Sequence, residues 1–253
     1  MKYASTSIAS KWKKTGWMLR DSRLHPYVHE TRLINRHNLE AMLGRYRVVY
    51  FKPSRGTGGN RILRIERPSA GGYRIRGIGD GRRSASINGL LVRLKAYAKN
   101  RTYLLQKGID LALTKGQPFD VRVMVQKTNG GVWKTTSLFT KIGKKGKVVT
   151  NYSRGGKVGR LGDTLRGAGY SESGIRKASS RLSRLGTDAG RCFDRHRKGF
   201  RELGLDVAID KRDRYWILET NTRPQYYPLK LVDKAAYRRV SEYARAYGRG
   251  KKT

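Results

Sequence analysis

The chain has 253 residues, enough to bury one large domain or two closely packed lobes. Its 57 Lys and Arg against 18 Asp and Glu give a formal net charge of +39, which attracts polyanions without specifying which one. The single cysteine, Cys192, excludes an intramolecular disulfide framework, and the sequence offers neither a signal-peptide core nor an apolar run near the ~20 residues of a membrane-spanning helix. We therefore expect a cytoplasmic protein.

The N-terminal half predicts short helices and strands around a glycine-rich turn. The predicted elements are a helix over 39–46 capped by Asn38, strands at 48–51 and 61–66, a helix over 86–99 and a strand at 103–106. The strands at 48–51 and 61–66 flank a turn that contains Gly56, Gly58 and Gly59. Strand, glycine-rich turn and strand are the pattern of a hairpin with a mobile tip.

The C-terminal half predicts hairpins and amphipathic helices. Between Phe119 and Gln126 every second residue is apolar, so one set of side chains faces a core and the other set faces away from it. Residues 129–131, Asn-Gly-Gly, then turn the chain into a second strand near 132–142. Apolar residues at steps of three or four predict a helix over 174–197 and another close to the C-terminus. This order of elements indicates the α+β class.

An acidic hairpin is the most informative stretch of the sequence. Residues 205–210 and 215–221 predict two strands joined by the turn 211–214. The expected register pairs Asp206 with Glu219, Ala208 with Ile217 and Asp210 with Tyr215, and it places Asn221 on the face of Glu219. Opposed carboxylates require a compensating cation, and Asp206, Glu219 and Asn221 offer the hard oxygen ligands that suit Mg²⁺ shared with a phosphate. The alternative is a solvent-facing acidic hairpin neutralised by neighbouring Arg and Lys.

The end of this hairpin resembles a known family. Residues 219–224, ETNTRP, resemble the E-x-N-x-x-P segment that closes the metal site of ATP-grasp enzymes, and Asp206 precedes Glu219 by 219 − 206 = 13 positions, as the first metal-binding acid does in many members. Segments 119–123, 150–156 and 203–206 look like the YheC/YheD group, which is associated by name with endospore coats. The resemblance implies an α+β ATP-grasp fold of two lobes that clamp a nucleotide, lacking a full N-terminal pre-ATP-grasp domain.

The resemblance divides a single ATP-grasp domain over residues 1–253 into three parts. The N-terminal lobe, with the glycine-rich loop, covers approximately 1–105, and the C-terminal lobe, with the metal site, covers 106–230. A C-terminal helix and basic tail occupy 231–253.

The resemblance also implies cofactor-binding residues in the N-terminal part. Lys11 and Lys52 are expected to reach the nucleotide phosphates, and the loop with Gly56, Gly58 and Gly59 is expected to cover them, because glycine allows close backbone approach. The expected contacts to adenine and ribose are Gln106, Lys107 and Ile109 at the hinge and Asp120. The residues expected at the transferring phosphoryl group are Arg122, Arg154 and Asn151, where guanidinium offers bidentate contact.

The implied activity is that of a Mg-ATP-dependent carboxylate–amine ligase, with Mn²⁺ as an alternative ion. Its carboxylate and amine substrates stay open, and an acidic or polymeric acceptor would suit the positive charge. One alternative is an ATP-grasp kinase. Another is a basic polyanion- or nucleic-acid-binding protein with a vestigial ATP site, which the charge and the interleaved Tyr and Trp residues favour. Nonspecific attraction of polyanions is expected in each case, and a spore association follows only from the resemblance.

Overall fold

The computed structural model of the chain describes residues 3–56, 58–77, 81–143 and 155–249. Two compact units are present: a smaller one of residues 9–12 and 29–110, and a larger one of residues 1–8, 13–28 and 111–253. The elements of the first 110 residues are α1 (Lys11–Leu19), a 3-10 helix (His25–Tyr27), β1 (Thr31–Leu33), α2 (Arg36–Arg45), β2 (Val48–Pro53), β3 (Leu63–Glu66), β4 (Tyr73–Arg76), β5 (Arg82–Ser84), α3 (Ile87–Ala98) and β6 (Tyr103–Lys107).

The elements that follow belong to the larger unit. They are β7 (Leu113–Thr114), β8 (Gln117–Lys127), β9 (Trp133–Ile142), β10 (Lys157–Arg160), α4 (Leu161–Arg166), α5 (Glu172–His196), β11 (Glu202–Ile209), β12 (Tyr215–Asn221), a 3-10 helix (Tyr227–Leu231) and α6 (Lys234–Ala246). The mixture of helices with antiparallel sheets confirms the predicted α+β class.

The smaller unit is built on a six-stranded antiparallel sheet with the order β1-β6-β2-β3-β4-β5. Alternation along β2 and β3 buries Val49, Phe51, Leu63 and Ile65 on one face, where α2 and α3 pack. Each such side chain contributes about 2 kcal/mol relative to leaving it exposed. The predicted hairpin of β2 and β3 is confirmed, and the opposite face of the sheet carries Lys52 and Gln106.

The start of α2 differs from the prediction. Asn35, not Asn38, caps the helix: its backbone is extended, and its side chain accepts a hydrogen bond from the Asn38 N–H at 2.7 Å. An N-cap residue must lie outside the helix and accept from an amide of the first turn. Asn38 is therefore not the N-cap that the sequence predicts. It lies in the first turn of the helix and supplies the backbone donor of the capping hydrogen bond.

The larger unit is built on an antiparallel sheet with the order β10-β9-β8-β11-β12. The alternation predicted for β8 is confirmed, because Phe119, Val121 and Val123 pack in the core beneath α5 while Met124 packs on the other face beneath α6. Helix α5 lies close to the sheet at Gly190. A Cβ on this residue would come within 2.5 Å of the Trp133 ring, so glycine is required there.

The acidic hairpin is confirmed in its strands and only partly in its register. Asp206 does pair with Glu219, but the next pairs are Val207 with Ile217, Ala208 with Trp216 and Ile209 with Tyr215. The expected pairs of Ala208 with Ile217 and of Asp210 with Tyr215 are wrong. A β-bulge between Asp206 and Val207 adds Leu218 to β12 without a partner in the ladder, and such an insertion shifts every later pair by one residue.

Candidate active site

Four strands of the larger unit bring charged residues together on one face. On β11, Asp206 lies directly between Arg122 of β8 and Glu219 of β12 in the pairing register. Lys141 of β9 pairs with Asp120 of β8 two positions along from Arg122. Residues that are opposite in an antiparallel sheet project to the same face, so these five side chains form one cluster.

The guanidinium of Arg122 holds the Asp206 carboxylate through two hydrogen bonds. Its Nε donates to Oδ1 at 2.6 Å and its Nη2 donates to Oδ2 at 3.3 Å. Its Nη1 donates to the backbone carbonyl of Gln225 at 2.9 Å, which ties the hairpin to the chain that follows it. The structure therefore places Arg122 against the first of the predicted metal ligands, and its expected contact with a phosphoryl group stays a prediction.

Lys141 completes this cluster, and the sequence analysis missed it. Its Nζ lies 3.0 Å from Oδ1 of Asp206 and 2.9 Å from Oδ1 of Asp120. The sequence signal that could have identified Lys141 was its place on the second strand of the predicted hairpin, close to the position opposite Asp120. A regular hairpin counted from the pair Lys127–Trp133 would, however, place residue 140 opposite Asp120. The bulge after Met124 moves Lys141 there instead.

The ionic contacts fix the charge state of the cluster. Burial alone would raise the pKa of Asp206, but Arg122 and then Lys141 outweigh burial and hold that pKa at about 2. Burial would likewise lower the pKa of Lys141, and Asp120 and Asp206 raise it above its ordinary value. At neutral pH, Asp206 is thus a carboxylate and Lys141 an ammonium.

The donor set fits a hard cation that is shared with a ligand. Oδ1 of Asp206 receives two donors, but Oδ2 receives only the long bond at 3.3 Å, which leaves it acceptor capacity among the described contacts. Glu219 and Asn221 are partly exposed and two positions apart on β12, so both face the same side. Across the described ranges, no group of three or more His, Cys, Asp or Glu side chains could hold a metal ion. The Asn221 amide and ligand oxygens would therefore have to complete the shell.

The segment after β12 is anchored by contacts that sequence reasoning did not assign. The hydroxyl of Thr222 accepts a hydrogen bond from the Ile8 N–H at 2.9 Å. Pro224 lies over Gly204, where a Cβ would come within 2.4 Å of the proline Cβ. The proline of the E-x-N-x-x-P segment thus requires glycine on β11, two positions before Asp206.

The smaller unit holds the predicted phosphate-contacting lysines. Lys52 is buried on β2. Lys11 is also buried; its backbone N–H donates to the carbonyl of Ser54 at 2.7 Å, and its ammonium donates to the carbonyl of Gly56. Gly56, Gly58 and Gly59 have φ values of +123°, +71° and +69°, the left-handed region that glycine tolerates without strain. The structure brings Lys11 to the glycine-rich loop, and the expected phosphate contacts of Lys11 and Lys52 stay predictions.

Two of the three predicted hinge residues already make hydrogen bonds within the smaller unit. The Gln106 side chain donates to the Thr31 hydroxyl at 3.1 Å, and the Lys107 N–H donates to the Glu30 carbonyl at 2.9 Å. Ile109 follows the end of β6. The expected adenine contacts therefore remain predictions, with the Lys107 amide already used within the sheet.

Of the three remaining predicted site residues, the structure describes only Asp120. Asp120 is buried on β8 beside Lys141, and its expected ribose contact stays a prediction. Asn151 and Arg154 lie outside the described residues.

Comparisons with known proteins agree with this architecture. The family described as YheC/D-like ATP-grasp matches residues 1–249. The endospore coat-associated protein YheD of Bacillus subtilis (strain 168) is 29% identical over 247 residues, which cover 93% of this chain and 53% of YheD. The chain thus spans about half the length of this relative.

Two solved structures show the same fold at low identity. A biotin carboxylase complex with β-γ-ATP from Campylobacter jejuni has a TM-score of 0.58 and 13% identity, and covers 97% of this chain and 47% of that chain. D-alanyl-alanine synthetase A from Vibrio cholerae O1 biovar eltor str. N16961 has a TM-score of 0.57 and 11% identity, and covers 94% of this chain and 63% of that chain. At these identities the likeness establishes the fold alone. In the part of the chain that the structure describes, no helix combines the length and apolar character needed to cross a membrane.

Proposed function

Since the chain belongs to the YheC/D-like ATP-grasp family, we propose that it is a Mg-ATP-dependent ligase that joins a carboxylate to an amine through an acylphosphate. The observation that carries the proposal is the pairing of Asp206 with Glu219 on adjacent strands, beside the buried cations Arg122 and Lys141. A site for phosphoryl transfer needs fixed negative ligands for a metal ion, and this cluster supplies them, with Asp206 held ionised by Arg122 and Lys141.

In the smaller unit the proposed contacts are to the phosphates and the adenine. In the smaller unit, Lys11 and Lys52 would contact phosphate oxygens, and the loop with Gly56, Gly58 and Gly59 would offer backbone amides to them. Gln106, Lys107 and Ile109 are assigned to adenine.

In the larger unit, Asp120 is assigned to the ribose, and Asp206, Glu219 and Asn221 would hold the cation. When bound, Mg²⁺ or Mn²⁺ would neutralise phosphate charge and orient the γ-phosphoryl group. The bonds from Arg122 and Lys141 would keep Asp206 ionised and fixed in position. Asn151 and Arg154 are assigned to the same phosphoryl pocket by the resemblance.

The proposed reaction has two steps. An oxygen of the substrate carboxylate attacks the γ-phosphorus of ATP, and the bond from that phosphorus to the β–γ bridging oxygen breaks, which releases ADP. The amine nitrogen then attacks the acyl carbon, inorganic phosphate leaves with the electrons of the C–O bond, and the nitrogen loses a proton. No side-chain nucleophile is required, so the protein contributes chiefly position and charge.

One observation favours a second candidate. Asp206 is already neutralised by Arg122 and Lys141 without any other cation, as in a vestigial site on a basic polyanion-binding protein. In this case ATP would bind through its phosphates alone. The spore association of YheD is carried over to this chain as a further proposal, tested by locating the protein in spores.

Calorimetric titration with ATP, with and without Mg²⁺, tests the proposal. We expect Glu219→Gln to weaken Mg-ATP binding about tenfold or more, because it removes one charged ligand of the cation. Glu242→Gln, on the exposed face of α6, removes the same charge elsewhere and should have no effect. Equal binding heats for the two variants, or binding heats that do not depend on Mg²⁺, would favour the polyanion-binding candidate. A stable phosphorylated product without amide formation would indicate a kinase.

A further inference from the structure

The face of the smaller unit's sheet that lies opposite its core carries a set of arginines that the proposed reaction does not use. In the pairing register, Gln106 of β6, Tyr50 of β2, Arg64 of β3 and Arg76 of β4 are successive partners in one row across the sheet. Partners in an antiparallel sheet share a face, and Leu63 and Ile65 fill the other face with core. The row therefore runs from a predicted adenine residue to the outer strands.

A second row lies beside the first. Glu66 of β3 pairs with Arg74 of β4, which pairs with Arg83 of β5. We name Arg64, Arg74, Arg76 and Arg83 the arginine lane. Its members are partly or well exposed: the side chains of Arg64, Arg74 and Arg76 are 25%, 36% and 44% accessible.

The charge balance of the arginine lane is unfavourable by itself. Arg64 is paired with Arg76 and Arg74 with Arg83, and like charges directly opposite each other destabilise a sheet. Glu66 is the one carboxylate that reaches them in the described contacts; it contacts Arg64 closely, Arg76 at 3.4 Å and Arg74 at 4.0 Å. Four cations around one anion leave a net charge of +3, which an anionic ligand would compensate.

We propose that the arginine lane binds the acidic polypeptide whose carboxylates serve as the ligase substrate. The choice of substrate rests on the proposed function, whose reaction consumes a carboxylate. Glu66 already shows that a carboxylate fits among three of these guanidinium groups. Residues two apart on a strand are about 6.7 Å apart, and an extended acidic peptide repeats its side chains on one side at the same spacing. Successive carboxylates can therefore meet successive arginines.

The face argues against single-stranded nucleic acid as the ligand. Proteins that bind single strands without sequence preference stack bases on aromatic rings. Among the described residues of β3, β4 and β5, the one aromatic is Tyr73, which packs with the core on the opposite face. Tyr50 of β2, the aromatic beside Arg64 on this face, is partly buried, so the outer arginines Arg74, Arg76 and Arg83 supply anion contacts without a stacking platform beside them.

A charge-matched comparison tests this inference. Binding of short poly-L-glutamate, without ATP and at fixed salt, is measured for the wild type, for Arg74→Ser/Arg76→Ser/Arg83→Ser, and for Arg176→Ser/Lys177→Ser/Arg184→Ser on the exposed face of α5. We expect the first triple variant to weaken binding about 30-fold and the second less than about threefold, since exposed charge pairs contribute modestly and additively. Equal losses would overturn the proposal in favour of the general field of the protein.

A single substitution gives an independent test in the opposite direction. Glu66→Gln frees three guanidinium groups from their carboxylate, so polyglutamate should bind about threefold or more tightly. Unchanged or weaker binding of polyglutamate would contradict the proposal that the arginine lane binds it. This variant is informative even if the triple variant fails to fold.

Two comparisons separate this inference from others. Oligothymidylate of equal charge should lose less affinity than polyglutamate in the lane variant, and a larger loss would assign the face to nucleic acid. Mg-ATP binding should be retained by the lane variant, because none of its residues is placed at the nucleotide. Loss of polyglutamate binding with intact Glu219-dependent ATP binding supports both proposals. If the lane variant binds polyglutamate as tightly as the wild type, only the arginine-lane proposal is contradicted. If Glu219→Gln does not weaken Mg-ATP binding, only the ligase proposal is contradicted.

Discussion

At the scale of single residues, the contact between Arg122 and Asp206 has both a structural and a proposed catalytic role. Their side chains are only 11% and 9% exposed, so each charge depends on the other for compensation. Removing one member of a buried pair typically costs about 3 kcal/mol or more, because the remaining charge stays in a low-dielectric site. Lys141 reduces this cost by keeping a second cation at Asp206.

We therefore expect Arg122→Leu to lower the free energy of unfolding by about 3 kcal/mol without nucleotide present. The double variant Arg122→Leu/Asp206→Asn should lose about 2 kcal/mol less than the sum of the single variants, since it removes both charges. Urea unfolding of the four proteins gives this coupling energy. Arg166→Leu, which breaks the exposed contact with Glu172, should change the free energy of unfolding by less than about 1 kcal/mol. Additive losses would show that Arg122 and Asp206 do not stabilise each other.

The residue scale also shows what the sequence could predict. Counting back from the predicted turn at 211–214 placed Asp206 opposite Glu219, and this pair is correct because the bulge after Asp206 offsets a one-residue error at the turn. Lys141 was not found, because a second bulge shifts its partner by one residue. Bulges depend on how the sheet twists and packs, which a periodic pattern does not contain.

At the scale of elements, the approach of α5 to the sheet depends on glycine. Gly186 lies against Val123 and Val125, and Gly190 against Trp133, at distances that leave no room for a methyl group. The helical period correctly predicted α5 and its apolar face. Its distance from the sheet could not be predicted, because glycine in a helix equally indicates flexibility or close packing.

Gly190→Ala is expected to lower the free energy of unfolding by about 1–3 kcal/mol, because the new methyl group forces α5 or Trp133 to move. The control is Gly44→Ala in α2, where nothing lies within 4 Å of the new Cβ. This control should gain up to about 1 kcal/mol from better helix propensity. Thermal or urea unfolding distinguishes the two, and a stabilised Gly190→Ala would show that the helix does not need this close contact.

At the scale of the whole molecule, the net charge of +39 produces a field that any anion experiences. A field from exposed groups is screened by salt, with a Debye length of about 8 Å at 0.15 M and about 3 Å at 1 M. The contacts of Asp206 with Arg122 and Lys141 are largely buried and are screened much less. Salt can therefore separate a built nucleotide site from general attraction.

We expect an increase from 0.15 M to 1 M salt to weaken polyglutamate binding by about 100-fold or more, because several exposed ion contacts are lost together. Mg-ATP binding should weaken by less than about tenfold over the same range and should still depend on Glu219, because a directly coordinated cation and buried lysines do not rely on the distant field. Calorimetric titration of wild type and Glu219→Gln at both salt concentrations gives the four affinities. If Mg-ATP and polyglutamate lose affinity in parallel and Glu219 makes no difference, phosphate attraction to a basic surface explains the binding and the ligase proposal should be abandoned.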